Sequence, residues 1–110
     1  MNIKIKSKNL AGKFLYGDLL ENKKTATIVV FMSGLSGSKD FPLFITASHE
    51  FKKQGYSTIR FNFCNDDEDK RHQKNAPAIE DMSLSVYISE LDNLLETLGK
   101  KYSRIVLIGH

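Results

Sequence analysis

Two short segments of this sequence carry the residues best suited to chemistry, and each follows an apolar run. Ser33-Gly34-Leu35-Ser36-Gly37-Ser38-Lys39-Asp40 comes directly after Thr27 to Met32, and Gly109-His110 comes directly after Arg104 to Ile108. In open α/β sheets ligands sit outside the carboxyl ends of the strands, so both segments point to one rim. A phosphate cradle is the first chemistry to test against the glycines. The P-loop needs Gly-Lys-Ser/Thr after a longer glycine spacing, and Ser38 separates Gly37 from Lys39, which argues against it. The acidic run Asp66 to Asp69 lacks the spacing of a calcium loop and reads as a solvated face. His49 and His72 have no paired Cys or His at ligand spacing, so no metal site is expected. Cys64 has no identifiable base and ends an apolar run, a position more typical of packing than of nucleophilic work.

The elements that must position these segments follow from periodicity. Asn2 to Lys6 alternates and predicts a short strand, and Lys13 to Leu20 predicts a second, antiparallel to it, with Glu21 to Lys24 as a turn. Thr27 to Met32 and Arg104 to Ile108 are continuous β-branched and apolar runs, the pattern of strands buried on both faces of a parallel sheet. Tyr56 to Phe63 predicts a further strand. Between them, Asp40 is expected to cap a helix with Pro42 in its first turn, Phe44, Ala47 and Phe51 on its inner face, and Gly55 at its end. Ser83 or Ser85 is expected to cap a second helix, whose apolar positions Leu84, Tyr87, Ile88, Leu91, Leu94, Leu95 and Leu98 keep helical spacing up to Gly99. Asn65 to Asp81 is polar and charged and predicts a surface loop. The fold class is therefore α/β: a mostly parallel sheet with an antiparallel N-terminal edge and two crossover helices.

Composition bounds the rest. A chain of 110 residues with 41% hydrophobic and 26% charged residues is an ordinary globular unit, too short for more than one domain. Its apolar runs fall far short of the roughly 18 residues of a membrane span, and Met1 to Lys8 lacks the apolar core of a secretory signal. One cysteine permits no internal disulfide, so the expected location is cytoplasmic. The net charge of +3 comes largely from lysines near the start. Lys4, Lys6 and Lys8 alternate with Ile3 and Ile5, as on a solvated edge strand, and without a basic cluster or stacking aromatics no nucleic-acid partner is expected.

Over its whole length the sequence resembles the α/β-hydrolase superfamily, in the neighbourhood of its esterases, acylglycerol lipases and serine aminopeptidases. Ser33-Gly34-Leu35-Ser36-Gly37-Ser38 is similar to that family's oxyanion loop, often His-Gly-x-x-Gly-Ser. Ile108-Gly109-His110 resembles the start of the nucleophile elbow, Gly-x-Ser-x-Gly. The resemblance implies an N-terminal part of an α/β-hydrolase domain over residues 1–110, with an oxyanion loop at Gly34, Leu35 and Gly37 and an elbow beginning at Gly109 and His110. Leu35 would supply a backbone N–H to the oxyanion, Gly34 and Gly37 would allow the tight turn, and Gly109 would leave room for the elbow. His110 precedes the nucleophile in this pattern and is not the catalytic histidine.

The sequence departs from the pattern in two places. Ser33 stands where many relatives have histidine. Arg60-Phe61-Asn62-Phe63 resembles the family's Arg-Phe-Asp-Phe, but the usual Gly-His-Gly continuation is replaced by Cys64-Asn65-Asp66-Asp67.

The expected activity is that of a serine hydrolase on a small-molecule carboxylic ester, thioester or amide, without a cofactor. The serine is expected immediately after His110, so the 110 residues alone are expected to be inactive, and Arg104 to Ile108 is expected to make the isolated chain self-associate. The alternative is a non-catalytic binding or interaction module derived from the same fold.

Overall fold

The computed structural model describes residues 1–6, 14–33, 38–63 and 83–109. Among them, five strands form one mixed sheet: β1 (Asn2–Lys6), β2 (Phe14–Leu20), β3 (Thr27–Met32), β4 (Ser57–Asn62) and β5 (Arg104–Gly109), in the order β1-β2-β4-β3-β5. β1 with β2 and β2 with β4 are antiparallel, whereas β4 with β3 and β3 with β5 are parallel. The antiparallel edge and parallel centre are those expected. β1 is an outer strand with Lys4 and Lys6 exposed, and the Lys4 ammonium sits 3.9 Å from the centre of the Phe14 ring.

The period of two along each strand sorts the core into two faces. On one, Val29 and Phe31 of β3 meet Phe44, Ala47 and Phe51 of α1 (Pro42–Lys53). The Phe31 ring lies 5.4 Å from Phe44 and 6.1 Å from Phe51. On the other, Ile28, Val30, Ile59, Phe61 and Leu15 pack with Leu94 and Leu98 of α2 (Leu84–Gly99) and with Tyr102. Each of these large side chains, fully buried, contributes about 1.5–3 kcal/mol. The helices joining the parallel strands thus cover opposite faces of the sheet.

The helix ends differ from expectation in instructive ways. Phe41, not Asp40, occupies the N-cap of α1, and no side chain caps it. The Asp40 carboxylate is already engaged by Arg60 Nη1 at 2.9 Å and by Lys39 Nζ at 3.2 Å, so a charge-assisted tertiary pair has displaced a local cap. At the other end Gly55, at φ +103°, donates its N–H to Lys52 O, and Tyr56 N–H donates to Phe51 O. This is a Schellman closure, completed by contact between the Phe51 and Tyr56 rings. Ser83 caps α2, accepting from Val86 N–H at 3.3 Å. Gly99 does not stop α2 but is its last helical residue, with Lys100 as C-cap.

The other correction concerns α2, whose expected inward positions Leu84 and Ile88 are exposed. Arg104 to Ile108 has the apolar run of a strand buried on both faces, but in the 110 residues β5 is mostly exposed, with Val106 at 42% and Leu107 at 43%, as the expected edge requires. Among the described residues β5 pairs only with β3 and lies at the sheet edge, so its outer side has no neighbour. The expected continuation of strand β4 from Tyr56 to Phe63 also narrows, to Ser57–Asn62.

Candidate functional site at the carboxyl rim of the parallel strands

The parallel registers set the geometry of the rim. Met32 of β3 is opposite Phe61 of β4 on one side and Gly109 of β5 on the other. The segment beginning at Ser33 therefore leaves the sheet directly between the end of β4, at Asn62, and the end of β5. Ser33 itself is buried. The two segments singled out in the sequence are brought to neighbouring strand ends, as the parallel pattern requires.

Of the expected site residues, Gly34, Leu35, Gly37 and His110 lie outside the described residues, as do Cys64, His72 and Asp66 to Asp69. Gly109 is described, and among the described residues a Cβ there would meet only Met32 Cε, at an ordinary 3.7 Å. The sheet itself does not demand glycine at this position. His49 lies exposed on α1. Among the described residues no group of His, Cys, Asp and Glu is disposed to hold a metal ion, and no helix is long and apolar enough to cross a membrane.

What the structure adds is a polar anchor beneath the segment after β3. Arg60 and Asn62 are alternate residues of β4, so their side chains share the α1 face, where Thr58 also donates to Ser48 O at 3.4 Å. Asn62 Oδ1 accepts the Lys39 backbone N–H at 2.6 Å, and Arg60 Nη1 donates to the Lys39 carbonyl at 2.8 Å. Arg60 also bonds Asp40 Oδ1 through Nη1, and Asp18 Oδ2 through Nη2 at 2.6 Å. Lys39 Nζ reaches both oxygens of Asp40 at 3.2 Å. Two cations thus face two carboxylates. The guanidinium is buried while the two aspartates keep contact with water, which lowers the desolvation cost of the cluster.

Asn62 Nδ2 and Arg60 Nε are buried with no hydrogen-bond partner among the described residues, so Asn62 is held in this cluster by its oxygen alone. Beyond Asn62, the Phe63 ring stands edge-on to Phe61 at 5.1 Å and to Tyr87 of α2 at 4.9 Å.

Sequence reasoning assigned no role to Asp18, Lys39 or Arg60, and none to Asp40 beyond its cap. A signal was present in Ile59-Arg60-Phe61-Asn62, where polar residues alternate with apolar ones inside a strand that is buried throughout. Such alternation marks one face of a strand as polar, and a buried polar face must have partners.

The arrangement matches solved hydrolases in fold. The chain superposes on Est1E from Butyrivibrio proteoclasticus, in a structure with ferulic acid bound, with a TM-score of 0.79 and 16% identity, covering 98% of this chain and 42% of that one. It superposes on dienelactone hydrolase from Anabaena variabilis with a TM-score of 0.71 and 15% identity, covering 99% of this chain and 50% of that one. No protein-family model matches the chain, and no curated protein sequence does. Both neighbours are members of the α/β-hydrolase superfamily, and the mixed five-stranded sheet with its two helices is part of that fold. The chain spans half or less of the length of each neighbour.

Proposed function

We propose that this chain forms the N-terminal, oxyanion-side part of a serine hydrolase that cleaves a small-molecule carboxylic ester, thioester or amide in the cytoplasm without a cofactor. The observation that carries the reading is the register Met32 opposite Gly109, which sets the segment starting at Ser33 beside the strand end from which the elbow pattern begins. In the proposed reaction the serine following His110 attacks the substrate carbonyl and passes its proton to a histidine supplied by later sequence. Backbone N–H groups, that of Leu35 among them, stabilise the oxyanion. The leaving group departs with that proton, and water, activated by the same histidine, releases the acid and regenerates the serine. Without the serine the 110 residues do not turn over substrate, and their β5 edge makes them self-associate.

The test begins with the gene. The codons after His110 are expected to encode Ser-x-Gly, in the same frame or after one frameshift. The resulting protein should hydrolyse activated short-chain esters and lose that activity when this serine is replaced by alanine. In the same protein Gly109→Ala should also abolish turnover, although a Cβ at Gly109 meets only Met32 at ordinary contact distance in the sheet. The 110-residue chain should turn over such esters no faster than its Cys64→Ala variant. A stop codon followed by unrelated sequence would favour the interaction module, and saturable hydrolysis that vanished in Cys64→Ala would replace serine chemistry by that of the cysteine.

A further inference from the structure

The parallel topology gathers cations from separate stretches of chain at the rim opposite the candidate site, the amino end of β3, β4 and β5. Lys23 and Lys24 form the turn that leads into β3. Lys52 and Lys53 end α1 just before β4 begins. Lys100 is the C-cap of α2, Lys101 follows it, and Arg104 is the first residue of β5. All of these side chains are exposed. Short contacts hold the stretches together. Asn22 N–H donates to Ser57 Oγ at 2.9 Å, and that hydroxyl donates back to the Asn22 carbonyl at 3.2 Å. Lys24 N–H closes the turn on Asn22 Oδ1 at 3.0 Å. Arg104 N–H donates to the Ala26 carbonyl at 3.2 Å, and Lys101 pairs with Glu21.

Among the described residues the carboxylates at this rim do not match that charge. Glu21 is paired with Lys101, Glu50 approaches Lys53 at 4.0 Å, and Glu96 lies one turn back from the end of α2. A cation at the end of a helix complements the helix dipole, which accounts for Lys52, Lys53 and Lys100 without any partner. It does not account for Lys23, Lys24 or Arg104, which belong to no helix. Like charges held on one surface repel, and a partner of opposite sign relieves that repulsion.

We propose that this rim is a docking surface for an anionic lipid bilayer. The cations stand on turns and element ends rather than along a helix that could enter a groove of nucleic acid, and the exposed ring beside them, Tyr56, is packed against Phe51 rather than presented for base stacking. A bilayer needs neither feature, because its charge is spread over a plane and imposes no register. Each cation brought close to an anionic leaflet raises affinity by about fivefold. Docked in this way, the chain turns the carboxyl ends of β3, β4 and β5 toward water. The inference does not depend on the hydrolase reading.

Vesicle flotation is the test, because it separates lipid-bound chain from self-associated chain. The 110-residue chain is expected to float with vesicles of phosphatidylcholine and phosphatidylserine at about 0.1 M salt, to stay behind with phosphatidylcholine alone, and to be released at about 0.5 M salt. Lys23→Gln with Lys24→Gln should weaken binding roughly ten- to thirtyfold, and Lys52→Gln with Lys53→Gln by a similar factor. Lys4→Gln with Lys6→Gln removes the same charge from β1, where Lys4 is opposite Tyr16, itself opposite the last residue of β4 at the other rim. That pair should change binding less than about threefold. An equal loss from the β1 pair would show that net charge and not this rim is at work, and would overturn the proposal. Equal binding to phosphatidylcholine alone, or no binding to either vesicle, would overturn it as well. Tighter binding to a mixed-sequence DNA duplex than to the anionic vesicles at the same salt would give the rim to a nucleic acid instead.

Discussion

Asp18 of β2 and Arg60 of β4 are direct cross-strand partners, and the pairing of their backbones brings the Arg60 guanidinium to 2.6 Å from the Asp18 carboxylate. The same guanidinium reaches over to Lys39 and Asp40, so a single register ties the antiparallel edge of the sheet to the segment after β3. A one-residue slip between β2 and β4 would turn Asp18 to the opposite face and leave Arg60 without this partner.

Replacing Arg60 with methionine should therefore destabilise the protein by about 2–4 kcal/mol. The figure falls toward the low end because Asp18 and Asp40 retain contact with water and are not left as fully buried charges. Urea denaturation measures it directly. A midpoint within error of the unsubstituted protein would mean that the cluster contributes nothing net to stability.

Gly17 is the tightest glycine in the described sheet. A Cβ there would lie 3.1 Å from Ile59 Cδ1, 3.2 Å from Ile3 Cγ1 and 3.3 Å from the Arg60 carbonyl oxygen. Only Ile59 Cδ1 is the far end of a side chain, whereas Ile3 Cγ1 lies mid-chain and the Arg60 oxygen is backbone, so relief is only partial. Gly17→Ala is expected to cost about 1–3 kcal/mol by overpacking, whereas an alanine elsewhere in a strand is usually at least neutral against glycine. Thermal unfolding of the variant decides the sign.

Among the described residues the outer side of β5 is exposed. Val106 and Leu107 present apolar surface beside backbone groups that, among the described residues, have no strand to pair with. Sedimentation velocity on the 110-residue chain should show association rising with concentration, and Val106→Lys should reduce it. A monodisperse monomer across the concentration range would remove β5 as an association surface.

At the other end of the sheet, Lys101 pairs with Glu21. The hydrogen bond from Lys101 holds the Glu21 carboxyl below its ordinary value, and the same bond raises the Lys101 ammonium above its own. A carboxyl held low in the folded state adds stability above its unfolded value and loses it as pH falls through the folded one. An ammonium held high adds stability below its unfolded value and loses it as pH rises through the folded one. The pair therefore contributes between about pH 5 and pH 10. Because it is solvent-exposed the effect is small. Glu21→Gln should shift the urea midpoint slightly at pH 7 and progressively less as pH falls below the ordinary carboxylate range, and an undiminished shift in acid would show that the change acts through something other than the charge.

Periodicity alone carried much of the fold. The alternation of Asn2 to Lys6 and the unbroken runs Thr27 to Met32 and Arg104 to Ile108 specified an antiparallel edge and a parallel centre. Phe44, Ala47 and Phe51, with Leu91, Leu94 and Leu98, pack inward as expected, whereas Leu84 and Ile88, expected on the same face of α2, are exposed. Gly55 marked the end of α1 because only a residue without a side chain takes its positive φ readily. These are local properties, set by the spacing of side chains on a backbone of fixed period.

The polar anchor was decided by tertiary structure. Nothing within a few residues of Asp40 tells whether its carboxylate will cap α1 or pair with a guanidinium on another strand. That depends on Arg60 arriving in register 20 residues later. Sequence determined which residues form strands and helices and which rim carries the candidate site, because those follow from local period and strand direction. Tertiary structure alone decided which charges meet around Arg60 and that Leu84 and Ile88 of α2 face water, because those depend on distances between segments far apart in the chain.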